Sequence, residues 1–251
     1  MAAELKLVHP NKSVRLVHSN EKLLSSEPLP DELRDTTLSL VQEAGVEVLL
    51  SSRVKDVTEM KNHHGKEYKV VLGDGKGMLA SHVIWAISKA VPTTNYLPTS
   101  ALDSNQLVKI NAKMNFTGEI KNKDHHFAIG DLVSWSGIKR CGAAMAMGHN
   151  AAFNIHQQLL EAGSGGKHKA EFIEFPEVPS MIALAVGKKA VSYSPNAGTK
   201  VGVEVMRNFF GEDLGLKSKL LFLLLLPFRA FLNGILVEGR ERESVCVCML
   251  M

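Results

Sequence analysis

The sequence predicts an α/β protein, and three observations carry that reading. Up to about Ser88, runs with helical spacing alternate with short β-rich runs. The alternation ends in three consecutive strand candidates separated by glycine-containing turns, a small antiparallel excursion. Farther on, the apolar run Phe127-Ala128-Ile129 closes on Gly130-Asp131, and a long helix candidate rich in Ala and Met follows. Helix–strand alternation with such an excursion suits an α/β nucleotide-binding domain.

In chain order, Ala2 to Val8 reads as the end of a helix closed by His9-Pro10-Asn11, and Ser13 to His18 as a short strand. A loop with Ser25, Ser26, Pro28 and Pro30 follows. Asp31 is expected to cap a helix through Ala44, with Leu33, Leu38, Leu40 and Val41 near helical spacing and Gly45 as its stop. Val46 to Leu50 is strand-like. The excursion comprises Val54 to Met60, Glu67 to Leu72 and Met78 to Ile87, with turns at His63-His64-Gly65 and Gly73-Asp74-Gly75. Pro92 to Pro98 connects to strand candidates Val108 to Phe116 and His126 to Ile129. Ile138 to Leu160 is the long helix, stopped by Gly163-Ser164-Gly165-Gly166. Phe172 to Val203 holds short apolar runs broken by Pro176, Pro179, Gly187 and Pro195, and Leu216 to Val237 is strongly hydrophobic.

Composition narrows the partners. The 251 residues are 45% hydrophobic and 22% charged, as in an ordinary globular protein. A formal net charge of +3 with dispersed basic residues gives no footprint for nucleic acid. Three cysteines, Cys141, Cys246 and Cys248, lack metal-type spacing and suggest a reducing compartment, so a cytoplasmic location is expected. Asp124-His125-His126 has no companion ligand at metal spacing, and no metal is expected. Cys141 reads as a small buried helix residue, and His149 as a packed or solvated one.

Gly130-Asp131 is the pair that carries chemistry. A glycine lets backbone come close to a ligand, and a carboxylate accepts hydrogen bonds from hydroxyls. Five residues make a weak motif, and a plain Gly-Asp turn between strand and helix is the commoner explanation in isolation. The surrounding stretches add a resemblance. Ala2-Ala3-Glu4-Leu5 with Ser13 to Ser19, His82-Val83-Ile84-Trp85-Ala86, Phe127 to Asp131 with Lys139 and Gly148-His149-Asn150-Ala151, and Phe175 to Gly187 together resemble the pyridine-nucleotide-disulfide oxidoreductase superfamily. More narrowly they resemble its apoptosis-inducing-factor-like, ferroptosis-suppressor-like NAD(P)H oxidoreductases. The likeness spans the chain up to about Leu236, and only the Gly-Asp element is sharp.

The resemblance implies a partial two-dinucleotide-binding-domain flavoprotein fold, FAD/NAD(P)-binding and Rossmann-like, with a C-terminal α+β domain. Its expected divisions are a partial NAD(P)H-binding domain over 1–88, the C-terminal half of an FAD-binding domain over 89–166, an α+β domain over 167–237 and a tail over 238–251. It implies FAD as cofactor, NADH or NADPH as electron donor, and a quinone-like acceptor. Gly130 and Asp131 would meet the FAD ribitol, and the next helix would aim its N-terminus at the flavin. Lys139 would neighbour the flavin; a surface lysine beside Arg140 is an equal alternative. No Cys-x-x-Cys is present, consistent with members that act without a redox disulfide.

Three departures qualify the expectation. Neither of the family's two Gly-x-Gly-x-x-Gly turns occurs in the sequence, so the backbone amides that would hold each pyrophosphate are missing. His18-Ser19 stands where an NADH-preferring site would often carry a carboxylate, and Ser88 replaces the family's glycine after Trp85. A non-catalytic, shortened form that binds partners or a membrane, with a homodimer as one arrangement, is the alternative function. At the end of the chain, Cys248-Met249-Leu250-Met251 matches a Cys-a-a-X prenylation signal, with Cys246 as a second lipid site. Arg240-Glu241-Arg242-Glu243 upstream is charge-balanced rather than polybasic. Leu220 to Leu226 is apolar but interrupted by Pro227 and Arg229, so it reads as a packed helix, with a membrane-surface helix as the alternative.

Overall fold

Short parallel strands form the first sheet of the protein. The computed structural model describes residues 1–62, 65–87, 91–211, 214 and 247–250. The chain divides into two compact units, one of residues 1–88 with 182–251 and one of residues 89–181.

In the first unit, α1 (Ala2–Val8) leads to β1 (Arg15–His18), α2 (Asp31–Glu43) and β2 (Glu47–Leu49). The expected cap at Asp31 is corrected: Pro30 is the N-cap and Asp31 is the first helical residue. Proline's fixed φ already gives the extended backbone that a helix entry needs, and Asp31 complements the helix dipole from inside the first turn. Leu33, Thr37, Leu40 and Val41 form the buried face. Thr37 replaces the expected Leu38, which lies five residues and about 140° around the helix from Leu33. The Thr37 hydroxyl donates to the Leu33 carbonyl at 2.7 Å, which satisfies it inside the core. The stop at Gly45 holds: the Gly45 and Val46 amides return to the Gln42 and Val41 carbonyls.

β1 pairs in parallel with β2, joining Arg15 to Glu47 and Val17 to Leu49. β3 (Val54–Asn62), β4 (Gly65–Leu72) and β5 (Gly77–Ala80) form the antiparallel meander. The strand expected over Met78 to Ile87 is two strands. β5 ends opposite Tyr68, and after Ser81-His82 the chain enters β6 (Val83–Trp85) of the parallel sheet. Apolar periodicity continues across such a change of sheet, so it does not mark the break. Val17, Val70, Leu72 and Ala80 make a buried cluster that Leu49, Val54 and Val83 also join, fastening meander to parallel sheet.

In the second unit, β7 (Val108–Lys109) and β8 (Val133–Ser134) pair in parallel, and α3 spans Cys141–Gly163. The strand expected over Val108 to Phe116 stops at Lys109, because Asn111 to Asn115 turns back with Met114 at φ +67°. The His126 to Ile129 run forms one isolated bridge, Phe127 with Asn115, rather than a strand. Met147, Ala151 and Asn154, at helical spacing, put one face of α3 into a core with Ala101, Val108, Met114, Ala128, Val133 and Phe175.

The first unit is completed by β9 (Ile182–Val186), β10 (Lys189–Ser194), β11 (Gly198–Gly202) and α4 (Val203–Phe210). β9 and β10 are joined by the two-residue turn Gly187-Lys188, a hairpin of the kind that places glycine first. α2 and α4 both pack on this antiparallel sheet. β12 (Val247–Leu250) lies between β1 and β6 and is parallel to both, giving the order β2-β1-β12-β6. The hydrophobic stretch over 216–237 and Cys246 lie outside the described residues.

Leu33 is fully buried. Leu33→Ala is expected to lower unfolding stability by about 2–5 kcal/mol, read as a lower urea midpoint with unchanged m-value.

Candidate functional site

The site forms where the chain turns out of the Ala128–Ile129 segment. Ala128 is buried and its amide returns to the Met114 carbonyl, so the approach to the turn is fixed by the core. Ile129 is extended, and Gly130 takes φ +79°, starting a single 3₁₀ turn over Gly130–Leu132. A Cβ at Gly130 would find ordinary contact distance, 3.6 Å from Ala144 Cβ. The glycine is therefore required by backbone conformation rather than by crowding. The Asp131 side chain is exposed, and the chain then re-enters the core at Val133, opposite Val108.

After β8 a loop carries the chain to α3. Ser136 accepts the Val178 amide on its hydroxyl at 2.8 Å, and Trp135 donates its indole N–H to the Pro176 carbonyl at 3.1 Å. Gly137 has φ +83°, and a Cβ there would lie 3.2 Å from the Val178 carbonyl oxygen. The loop can pack this tightly only with glycine. It also explains why α3 starts at Cys141 rather than at the expected Ile138, which is buried in the loop. Cys141 is exposed, correcting the buried placement. As the first residue of α3 it lies off the Met147–Ala151–Asn154 face. His149 is exposed.

Lys139 turns back to donate from Nζ to the Asp131 carbonyl oxygen at 2.7 Å. Burial pushes its ammonium below the usual lysine value, while the nearby carboxylates of Asp131 and Asp103 oppose that shift. The three residues singled out by sequence, Gly130, Asp131 and Lys139, thus line one cavity. Val133, Trp135, Ser136 and Ile138, with Ala143, Ala144 and Met147 of the first two turns of α3, complete its wall. The N-terminus of α3 has no side-chain cap and no acidic residue in its first turn, so its positive dipole end is unopposed there. The cavity is about 20 Å³, room for roughly one water. It can receive the polar edge of a ligand rather than enclose a ring system.

Sequence reasoning missed the groups that support these three. Asp103 accepts the Asn105 and Leu107 amides at 2.8 and 2.9 Å and the Ser134 hydroxyl, tying the loop before β7 to β8. These donors hold its carboxyl below the usual aspartate range, the Ser134 hydroxyl most of all. Asp103-Ser104-Asn105-Gln106 is a turn-forming run in which an Asx turn could have been expected. Asn154 carries no comparable local signal. Its side chain is fully buried and donates to the Lys113 and Ile173 carbonyls, while its own carbonyl accepts the Ile173 amide at 2.8 Å.

His18, which stands at the end of β1 in the first unit, is buried, and its Nε2–H donates to the Lys22 carbonyl at 2.9 Å. It is a packed residue of the strand end. Cys248 lies within β12.

Asn154→Ala would strand the Ile173 amide and two carbonyls, and a loss of about 1–3 kcal/mol is expected for a buried group so deprived, measured by chemical denaturation. Asp103 gives a pH signature. Its folded-state pKa lies below the ordinary 3.8, so its contribution to stability is present above that value and disappears as pH falls through the folded value. Urea midpoints measured downward from pH 6 should therefore fall less steeply below about pH 4 in Asp103→Asn than in the parent chain.

Residues 1–148 match the pyridine nucleotide-disulphide oxidoreductase family. Oxidoreductase OXR1 of Ajellomyces capsulatus is 50% identical over 217 residues, covering 86% of this chain and 46% of the relative. Ferroptosis suppressor protein 1 of Mus musculus is 31% identical over 164 residues, 64% of this chain and 43% of the relative. The chain thus spans about half the length of the curated relatives it matches. Among solved structures, a FAD-dependent pyridine nucleotide-disulphide oxidoreductase from Desulfovibrio vulgaris aligns with TM-score 0.52 at 14% identity, over 71% of this chain and 41% of that one. A NAD-dependent persulfide reductase from A. fulgidus aligns with TM-score 0.53 at 13% identity, over 81% and 39%. These two likenesses are of fold alone; the match over residues 1–148, more than half of the chain, makes it a member of the pyridine nucleotide-disulphide oxidoreductase family.

Proposed function

We propose that this chain belongs to a FAD-dependent oxidoreductase that passes electrons from NADH or NADPH through flavin to a quinone-like acceptor. The observation that carries the reading is the convergence of Gly130, Asp131, Lys139 and the uncapped N-terminus of α3 on one small cavity. This donor set fits one part of the cofactor. An exposed carboxylate suits a hydroxylated chain, while an ammonium and a helix N-terminus suit an electron-rich ring edge. A pyrophosphate-binding glycine turn is absent from the sequence, so these residues would hold the ribitol and the ring edge only.

Within that fit the roles divide by chemistry. Gly130 keeps the backbone turn that lets the ligand approach, and Asp131 orients it by accepting hydrogen bonds from its hydroxyls. Lys139, anchored on the Asp131 carbonyl, adds positive charge beside the helix end, which favours a reduced, anionic ring. When bound, FAD supplies hydride acceptance from the pyridine nucleotide and electron delivery to the acceptor. A lipid quinone as acceptor would place the protein in the cytoplasm at a membrane surface. Among the described residues no helix is long and apolar enough to cross a membrane.

A cavity of only about 20 Å³ favours a second reading, a module that binds partners and does not hold cofactor alone. One titration separates the two. On incubation with FAD the purified chain is expected to acquire a bound-flavin absorption band that bleaches on addition of NADH or NADPH. A chain that stays colourless through both steps sinks the first reading and leaves the second. If flavin binds, Asp131→Ala is expected to raise the FAD Kd roughly tenfold, from loss of about 1.5 kcal/mol in a charge-assisted bond. Lys139→Ala should shift the two-electron potential negative by on the order of 30 mV, equivalent to about 1.4 kcal/mol.

A further inference from the structure

A larger cavity lies in the first unit, between α1, α2 and the β9–β10 hairpin. It measures about 500 Å³, inside the ~300–1,000 Å³ range of pockets that take small ligands. Its floor is apolar, with Leu7, Leu40, Ala44 and Val186 lining it. Leu40 and Val186 are committed to the core at 7% and 6% exposed, whereas Leu7 is 45% exposed. Leu7 thus offers a large apolar side chain to whatever fills the cavity. The rim is basic: Lys6, Lys188 and Lys189 stand there with a single carboxylate, Glu43.

Three ties join the walls to one another. Glu4 of α1 accepts the Gly187 amide of the hairpin turn at 3.1 Å. Glu43 of α2 pairs with Lys189 of β10. Lys6 donates from Nζ to the Pro10 and Lys12 carbonyls at 2.7 and 2.8 Å. Its stem packs on the end of α2 so closely that a Cβ at Gly45 would lie 3.0 Å from Lys6 Cε. The cavity is therefore formed before a ligand arrives, and little ordering is left for binding to impose. The same ties sort the charges. Glu43 is taken by Lys189, and both partners of Lys6 are neutral carbonyls, which leave its charge uncompensated. Lys188 is exposed and pairs with no carboxylate among the described residues. Two uncompensated ammonium groups above an apolar floor complement an anionic head on an apolar body.

We infer that this cavity binds a small anionic amphiphile, of which a fatty-acid carboxylate is the simplest, with its chain on Leu7 and Leu40 and its head on the Lys6 and Lys188 rim. A neutral apolar molecule would leave both ammonium groups unanswered, and a cation would meet them as like charges. The site belongs wholly to the first unit and does not depend on flavin binding by the second.

Calorimetric titration of the full chain with monomeric decanoate, below its micellar concentration, tests the inference. Binding is expected to saturate at one equivalent and to slow hydrogen exchange over residues 3–10 and 186–189. Decanol, which keeps the chain without the charge, and acetate, which keeps the charge without the chain, should each bind about tenfold more weakly or less. Lys188→Glu is expected to raise the decanoate Kd about tenfold or more, and Leu7→Gln to raise it roughly tenfold. Both side chains are exposed, so the unliganded variants should keep the urea midpoint of the parent chain. Absence of saturable binding, equal affinity for decanol, or an unchanged decanoate Kd in either variant would overturn the inference. Binding to vesicles of anionic phospholipid without binding of monomeric decanoate would assign the patch to a membrane surface and overturn it as well. So would a dimer, seen by light scattering, that Leu7→Gln dissociates and decanoate leaves untouched, since the cavity would then belong to a second copy.

Discussion

Asn154 holds the second unit together around its site. One side-chain amide, fully buried in α3, ties the Lys113 carbonyl of the Asn111–Asn115 turn to the backbone of Ile173. Those stretches are 41 and 19 residues away from it in sequence, and neither belongs to a long strand that could satisfy its own backbone groups. Low dielectric makes such bonds strong and makes their absence costly. With Asn154 satisfied, Met114 sits in the core, Ala128 bonds back to it, and the chain reaches Gly130 in a fixed place.

The site is a product of that anchoring. The Gly130 turn is set between a core residue on each side, Ala128 before and Val133 after. Asp103 and Ser134 brace the following strand, and the Ser136 and Trp135 bonds to Val178 and Pro176 hold the loop that aims Lys139 back at Asp131. A short polar turn is thereby held in place by hydrogen bonds, although only four strand residues lie near it. The first unit is organised differently. Its meander and its parallel sheet share one apolar cluster, and order there comes from area buried rather than from a single polar tie.

Much was legible in the sequence where the signal is local. Helices α1, α2 and α3, the meander with its Gly73-Asp74-Gly75 turn, and the Gly130-Asp131-Lys139 grouping follow from periodicity, turn chemistry and a recognised pattern of residues; the expected turn at His63-His64 lies outside the described residues. Errors gathered where partners rather than propensities decide. Met78 to Ile87 is uniformly strand-like, yet belongs to two sheets. Val108 to Phe116 is apolar enough for a strand, yet bends at Asn111 because its far half bonds to Phe127 and His126. Thr37 lies on the buried face of α2 in place of Leu38, since angle around the axis outweighs hydrophobicity once a hydroxyl can bond inside the helix.

What the sequence determined by itself is therefore the class of the fold, the order of the helices from α1 to α3 and the residue types at the Gly130-Asp131 turn. These depend on interactions within a few residues, where 3.6- and 2-residue periods and the special backbone of glycine speak directly. Only the tertiary structure decided that Asp103 and Asn154 support the site, that Lys139 bonds to the Asp131 backbone, and that Val247–Leu250 takes the central place between β1 and β6. Each of those joins groups distant in the chain through a hydrogen bond or a strand pairing, and a linear pattern carries no record of which distant partner will satisfy a given backbone group.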